Sequence, residues 1–179
     1  SGGDFVPVTK YILSYADSSD LGGSPLFNKA LVRTGYTSGE LDVVLGAGEF
    51  LTGYAFTPSQ DPGAVIQGDQ NLIFRILVVS GSASVEWKVT FAAVQADGSE
   101  TSGDQGLSPA DNLEENRAHE LLWAGTTAWL VGYRLRVKYH FINTDFGAGH
   151  TVRLAFGDPD DSVVYAPWGT QQRRRAWIF

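Results

Sequence analysis

The chain has 179 residues, carries a formal net charge of −7 and contains neither cysteine nor methionine. A globular composition of this length can bury a core without disulfides, and the lack of cysteine excludes thiol chemistry. The acidic balance argues against broad nucleic-acid binding, which needs basic surface, and no apolar run reaches the roughly 18 residues that would span a membrane.

The first predicted strands are irregular in sequence. Residues 5–15, FVPVTKYILSY, predict an edge strand because Pro7 cannot donate a hydrogen bond to a neighbouring strand. Residues 49–56, EFLTGYAF, are aromatic and favour β-structure. Gly53 in this run predicts either a bulge or a close crossing of another segment.

The middle of the chain carries clearer signals. Residues 71–79 are nearly continuously apolar, with Arg75 the one charge, which predicts a central strand covered on both faces. Residues 84–94 alternate as far as Phe91, and Trp87 falls on the apolar side, so this strand is expected to be half-buried with Trp87 in the core. Asp97-Gly98 directly after it predicts a tight hairpin.

The segment from Ser108 leaves two interpretations open. Ser108, Pro109 and Asp111 have the spacing of a helix N-terminus, with a capping residue, a proline in the first turn and an acid three residues on. The apolar spacing of residues 112–122 that follow is poor for a helix. A short helix and an extended segment therefore remain equally open, and residues 119–125 predict a strand.

The last third again alternates. In residues 134–142 one predicted face is apolar and the other basic, and residues 150–156 repeat the pattern with apolar residues inward. The basic face consists of Arg134, Arg136, Lys138 and His140. A turn, GDPDD, then leads to a final predicted strand over residues 162–168.

Short strands separated by frequent turns predict the fold class. We expect an all-β protein, an antiparallel β-sandwich of jelly-roll type, with at most one short helix. Residues 1–170 are expected to form a single sandwich domain, followed by an arm or last strand over residues 171–179.

The chain offers little catalytic chemistry. His119, His140 and His150 have no metal-binding spacing, no serine lies in a nucleophile elbow, and these histidines are expected to be exposed on strands. No cofactor motif is present, so no cofactor is expected. Clustered carboxylates can bind calcium, but the series needed to complete a calcium loop is missing, which favours a solvated turn. The weak metal candidates are Asp158, Asp160 and Asp161.

Aromatic residues make up 12% of the chain, including five tryptophans. Exposed rings would serve either to stack on sugars or to fill contacts between subunits, where aromatic residues and arginine are favoured. A coplanar row of exposed Trp123, Trp129 and Trp168 would favour sugar, and their burial in a subunit contact would favour assembly.

Residues 84–165 carry a recognisable order of elements. A strand and an ADGSE hairpin are followed by a strand with Gly-x-Arg-Leu-Arg-Val, an Asn-Thr turn, a Thr-Val strand and a GDPDDS turn. This order resembles β-sandwich domains of tailed-phage and related virion proteins. The elements fall on residues 96–100, 130–139, 143–144, 149–152 and 157–162.

The resemblance implies a structural role. Proteins of this kind act as capsid decoration (cement) subunits, minor capsid proteins, head fibres or tail appendages, and they are commonly trimeric. We therefore expect a non-catalytic virion protein, assembled in the host cytoplasm, that binds itself as a homotrimer and other virion proteins. Neither a membrane nor nucleic acid is an expected partner. The alternative is a carbohydrate- or receptor-binding sandwich that contacts a host-surface glycan.

Residues 171–179, QQRRRAWIF, are oily and basic at the end of an acidic chain. In an extended conformation neither side of this segment is purely polar. It would form the last strand of its own sheet, or an arm laid across a neighbouring subunit; contact with packaged nucleic acid is a third possibility, for which three arginines are few. The partner-binding candidates are Arg173, Arg174, Arg175, Trp177, Ile178 and Phe179.

Overall fold

The computed structural model describes residues 9–18, 25–59, 61, 66–99, 104–108, 110–129 and 132–167, with only the backbone described for 66–70, 105–107 and 125–129. In these ranges all regular structure is β, which confirms the predicted fold class. The strands are β1 Thr9–Asp17, β2 Asn28–Val32, β3 Gly39–Leu45, β4 Phe50–Phe56, β5 Ile66–Ser80, β6 Val85–Val94, β7 Gln105–Leu107, β8 Asp111–Asn112, β9 Ala118–Trp129, β10 Arg134–Asn143, β11 His150–Phe156 and β12 Val163–Ala166.

Hydrogen bonds connect the strands in the order β3-β11-β5-β12-β1-β2-β4-β10-β6-β7, with β8 paired to β6 and β9 to β5. All pairs are antiparallel except β2 with β4. Long β5 has β9 along one side, and both β11 and β12 along the other. The layer built around β5 packs face to face with the layer built around β10, which makes the sandwich.

Aromatic rings fill the space between the two layers. Trp87 of β6 and Tyr139 of β10 are fully buried and stack with their ring centroids 6.2 Å apart. From the β5 layer, Phe74 reaches Phe91 of β6 at 6.0 Å. Alternation placed Trp87 correctly, because a strand with one apolar face can bury only that face.

Two predicted strands form, but the predictions of which neighbours cover them were wrong. β1 is not an edge strand, since β12 pairs with it on one side and β2 on the other. Pro7, the basis of that prediction, lies outside the described residues, and the pairing begins at Thr9. β5 is central as predicted, but only one of its faces is fully covered, because Ile73, Arg75 and Leu77 are half-buried on the other.

The predictions for the glycines and the turn after β6 agree with the structure. Gly98 has φ +83° and donates its amide to the Gln95 carbonyl at 2.9 Å, which confirms the turn after β6. Gly53 marks a close crossing and not a bulge: its pairing with Tyr139 is in register, and a Cβ there would overlap the ring of Phe27. No described residue after Ser108 is helical, and Asp111 begins the short strand β8.

Candidate partner-binding surfaces

The segment that the sequence singles out for partner binding lies outside the described residues. This applies to Arg173, Arg174, Arg175, Trp177, Ile178 and Phe179, so their role stays a prediction. The described part of the protein carries two rows of charged side chains that bear on such a contact. One is a partly covered basic face on β10, and the other is an exposed acidic edge on β3.

The aspartates proposed as weak metal candidates build a turn between β11 and β12. The Asp158 carboxylate accepts the amide of Asp160 at 2.8 Å, and the Arg75 guanidinium donates to the carbonyls of Asp160 and Asp161. Burial, joined by the nearby charge of Asp158, raises the pKa of Asp161. Within the described ranges, no group of three histidine or acidic side chains is arranged to hold a metal ion.

The histidines are less exposed than predicted. His119 is 1% exposed, with Nδ1 3.0 Å from the Asp111 carboxylate and Nε2 2.9 Å from the Glu115 carbonyl. His119 lies on the same, inward side of β9 as Leu121. Their spacing of two residues is the sequence signal that could have predicted this burial. His150 lies half-buried, 2.8 Å from Asp145, and this hydrogen bond lowers the pKa of the carboxylate.

The tryptophans give a partial answer on sugar binding. Trp123 is partly buried against the core, and its ring and that of Phe91 form a T-shaped contact with centroids 4.7 Å apart. This ring is therefore held against the core and is not fully exposed. Trp168 and the side chain of Trp129 lie outside what the structure describes.

The basic face of β10, defined as Arg134, Arg136, Lys138 and His140, is partly covered. The prediction of a water-facing row was wrong for Arg134 and Arg136, which are 2% and 4% exposed. Arg134 donates to the carbonyls of Thr57 and Ala96 at 2.8 and 2.9 Å. These acceptors lie far away in sequence, so the alternation within β10 holds no sign of them.

A single carboxylate, that of Asp104, forms ion pairs with two cations of this face. The two oxygens of Asp104 accept from Arg136 at 2.8 Å and from Lys138 at 3.0 Å. Burial alone would raise the pKa of Asp104, but the hydrogen bonds and charges of Lys138 and Arg136 outweigh it and lower the pKa. Tyr54 of β4 lies beneath both cations, at 5.8 Å from Arg136 and 5.6 Å from Lys138.

The far end of the basic face is built around His140. Its Nδ1 lies 3.2 Å from the hydroxyl of Thr52, its Nε2 lies 2.9 Å from the hydroxyl of Thr90, and the exposed ring of Phe50 is 5.6 Å away. Burial lowers the pKa of His140. The positive charges of Lys138 and Lys88 also lower it, whereas the negative charge of Asp104 raises it. The face therefore holds this imidazole in its neutral form.

We expect the folded state to lose stability on acidification through His140. Because its folded pKa is lowered, the contribution is complete above the ordinary value of about 6.5 and is lost as pH falls through the folded value. Thermal melts between pH 7.5 and 5.0 of the wild type and His140→Gln measure it, and the variant should lose less stability over that range. The same substitution at His150 is the control; an equal change in both variants would contradict the assignment.

The acidic edge is the outward-facing row of β3, defined as Glu40, Asp42 and Val44. Arg153 of β11 donates to Asp42 at 2.8 and 3.2 Å and lies 3.9 Å from Glu40. The hydrogen bonds from Arg153 lower the pKa of Asp42, so this carboxylate is charged at neutral pH. Val44 completes the row with 62% of its surface exposed.

Other large apolar side chains also face outward. Phe146, in the turn between β10 and β11, is 86% exposed, and Leu122 of β9 and Phe50 of β4 are more than half exposed. Single exposed apolar residues are ordinary, but Phe50 lies beside His140 at the end of the basic face, and Val44 belongs to the acidic edge. The acidic edge thus combines exposed charge with apolar surface, as subunit contacts do.

Comparisons with known proteins concern the fold. No protein-family model matches the chain. No curated protein matches it either.

Among solved structures, the chain is similar to a CocE/NonD family hydrolase from Staphylococcus aureus, with a TM-score of 0.56 and 10% identity over 92% of this chain and 37% of that one. It is more distantly similar to Eiger TNF from S. frugiperda, with a TM-score of 0.38 and 12% identity over 89% and 91% of the two chains. For the Gt strain of infectious bursal disease virus, the TM-score is 0.40 and the identity 12% over 94% and 33%.

The last two likenesses are too distant to support an inference. The first shows a shared fold and no more, because the identity is low and the chain spans little more than a third of that hydrolase. The described part of this chain holds no helix that could cross a membrane. The chain is therefore an all-β sandwich whose fold recurs in part of a larger protein.

Proposed function

We propose that this chain is a non-catalytic structural protein of a virion, a capsid decoration, minor capsid or appendage subunit that binds other subunits. The observation that carries the proposal is the agreement between the resemblance and the fold. The motif order of residues 84–165 implies strand, hairpin, strand, turn and strand. The fold has β6, the turn at Asp97-Gly98, β10, the turn after Asn143 and β11 in that order.

The described surface supports the same role. Four large apolar side chains are exposed outside the core: Phe146, Val44, Leu122 and Phe50. The acidic edge on β3 and the exposed ring of Phe50 on β4 lie on different strands. Closed cyclic assemblies other than dimers need two different patches on each copy, and two separate surface regions are consistent with that need.

The proposal predicts self-association, with a trimer expected, and a place in the parent particle. Sedimentation equilibrium across micromolar concentrations should give about three times the 19.4 kDa of one chain. Electron microscopy of the parent particle should locate the chain on its surface.

Other outcomes would count against it. A 19.4 kDa species at every concentration, together with absence of the chain from the particle, would refute the proposal. Saturable binding to a glycan array would favour the receptor-binding alternative. Saturable turnover that one carboxylate or histidine substitution abolishes would show an enzyme.

A further inference from the structure

We propose that the open edge of β3 binds residues 173–179 of a second copy as an added strand that runs parallel to β3. This inference rests on the proposed function, since it names the contact through which copies associate. Three features carry it: the side of β3 that no other described strand pairs with, the order of side chains along the acidic edge, and the length of residues 167–172.

β3 stands at one end of the strand order. Within the described ranges β11 is the only strand that pairs with it, in unbroken register from Gly39 to Leu45. No second described strand pairs with the backbone amides and carbonyls on its other side, and an edge of this kind is a template for strand addition. Its seven residues span about 23 Å, the length of seven added residues.

The side chains match position by position in one register. In a parallel arrangement Arg173 lies beside Glu40, Arg175 beside Asp42 and Trp177 beside Val44. The two arginines then meet Glu40 and Asp42, for which Arg153 is the one cationic partner in the described chain. The indole of Trp177 meets the exposed Val44. An antiparallel arrangement can also pair Arg175 with Glu40 and Arg173 with Asp42, so charge alone does not set the direction. Trp177 would then lie beside Ser38, before β3 begins, and Gln171 beside Val44. The contact of Trp177 with the exposed Val44 therefore favours the parallel arrangement.

The other side of the added strand fits as well. Leu41, Val43 and Leu45 point from β3 toward the core. In the same register Ala176 lies beside Val43 and Ile178 beside Leu45, so two apolar residues extend the inward side. Arg174 is the exception, because it lies beside Leu41 at the start of that side. From Arg175 onward the alternation of the segment follows the two faces of the β3 edge.

A second copy provides the segment more easily than the same chain. β12 ends at Ala166 and is antiparallel to β5, whereas β3 is parallel to β5. Within one chain, residues 167–172 would have to reverse direction and reach the far edge of β3, which β5 and β11 separate from β12 in the strand order, although six extended residues span only about 20 Å. Between copies the contact is head-to-tail, and such contacts make a closed ring, such as the expected trimer, when their rotation closes.

A charge exchange in the full chain tests the contact. One variant carries Glu40→Arg and Asp42→Arg, a second carries Arg173→Glu and Arg175→Glu, and a third carries all four. We expect each double variant to associate at least about tenfold more weakly than the wild type and the fourfold variant to recover most of the loss. Glu114→Arg with Glu115→Arg makes the same charge change away from the edge and should leave association unaltered.

Two readouts make the result decisive. Sedimentation measures association, and hydrogen exchange of residues 39–45 should slow as concentration rises, because added backbone pairing protects the β3 amides. The Arg173/Arg175 variant changes no residue of the described strands, so its result stands even if the Glu40/Asp42 variant unfolds.

The inference and the proposed function can fail separately. Wild-type association that neither double variant weakens, or weakening without recovery in the fourfold variant, would overturn the inference and leave the function standing. Protection of β3 at every concentration would overturn it in favour of a strand from the same chain. A wild-type chain that never associates and binds no particle would contradict both the inference and the proposed function.

Discussion

Gly157→Ala is expected to destabilise the sandwich by about 3 kcal/mol, a loss of roughly 6–12 °C in Tm for a domain of this size. Gly157 follows β11 with φ +86°, a conformation that side chains with a Cβ rarely adopt, and an added Cβ would overlap the Thr37 carbonyl. Its amide donates to the Leu13 carbonyl at 2.8 Å, so the turn is held in place and cannot move aside freely.

Two other glycines separate the causes of this loss. Gly35 also has a positive φ, +74°, but nothing lies within 4 Å of an added Cβ, so Gly35→Ala should lose about 1 kcal/mol from backbone strain alone. Gly46 has neither a positive φ nor a close neighbour, and Gly46→Ala should be nearly neutral. Thermal or urea melts check the series; equal losses at Gly157 and Gly35 would show that the overlap with Thr37 is relieved without penalty.

Deleting residues 171–179 is expected to leave the sandwich folded and to weaken its docking to neighbouring subunits by at least about tenfold. Full burial of Trp177, Ile178 and Phe179 would contribute about 1.5–3 kcal/mol each as an upper estimate, and the arginines would add charge-assisted bonds to carboxylates. The full-length and truncated chains are compared by thermal melt, by sedimentation and by binding to the parent particle.

The two alternatives for this segment give opposite patterns. An arm on a neighbour predicts unchanged melting of the monomer with loss of assembly. An internal strand predicts a large drop in monomer melting temperature with assembly intact among the molecules that remain folded. A deletion of residues 176–179 that keeps the three arginines serves as the matched control, because it separates the apolar contribution from the charged one.

The strands with one apolar face were predictable from sequence. β6, β10 and β11 lie within one residue of the predicted bounds, and Trp87 is in the core as expected. The reason is local: side chains of a strand alternate between two faces, so a two-residue period reports burial directly. The turn at Asp97-Gly98 was equally readable, because it depends on one glycine backbone.

The candidate surfaces were harder to predict from the sequence. Alternation placed Arg134, Arg136, Lys138 and His140 on one face of β10 but could not show that the first two are covered by Thr57, Ala96 and Asp104. Nor could it show that β1 is paired on both sides or that β3 stands at an edge. These facts depend on residues tens of positions apart in the chain, and a single sequence carries no direct record of such pairings.

The sequence alone therefore determined the β class, the inward faces of the regular strands and the presence of an arginine-rich aromatic segment in an acidic chain. All three follow from local composition and period, which act over a few residues. The tertiary structure decided which strand edges are paired, which cations are buried and where two carboxylates stand beside an exposed valine on an open edge. Those features arise only when distant segments pack together, since burial and pairing are properties of the neighbours that a residue acquires on folding.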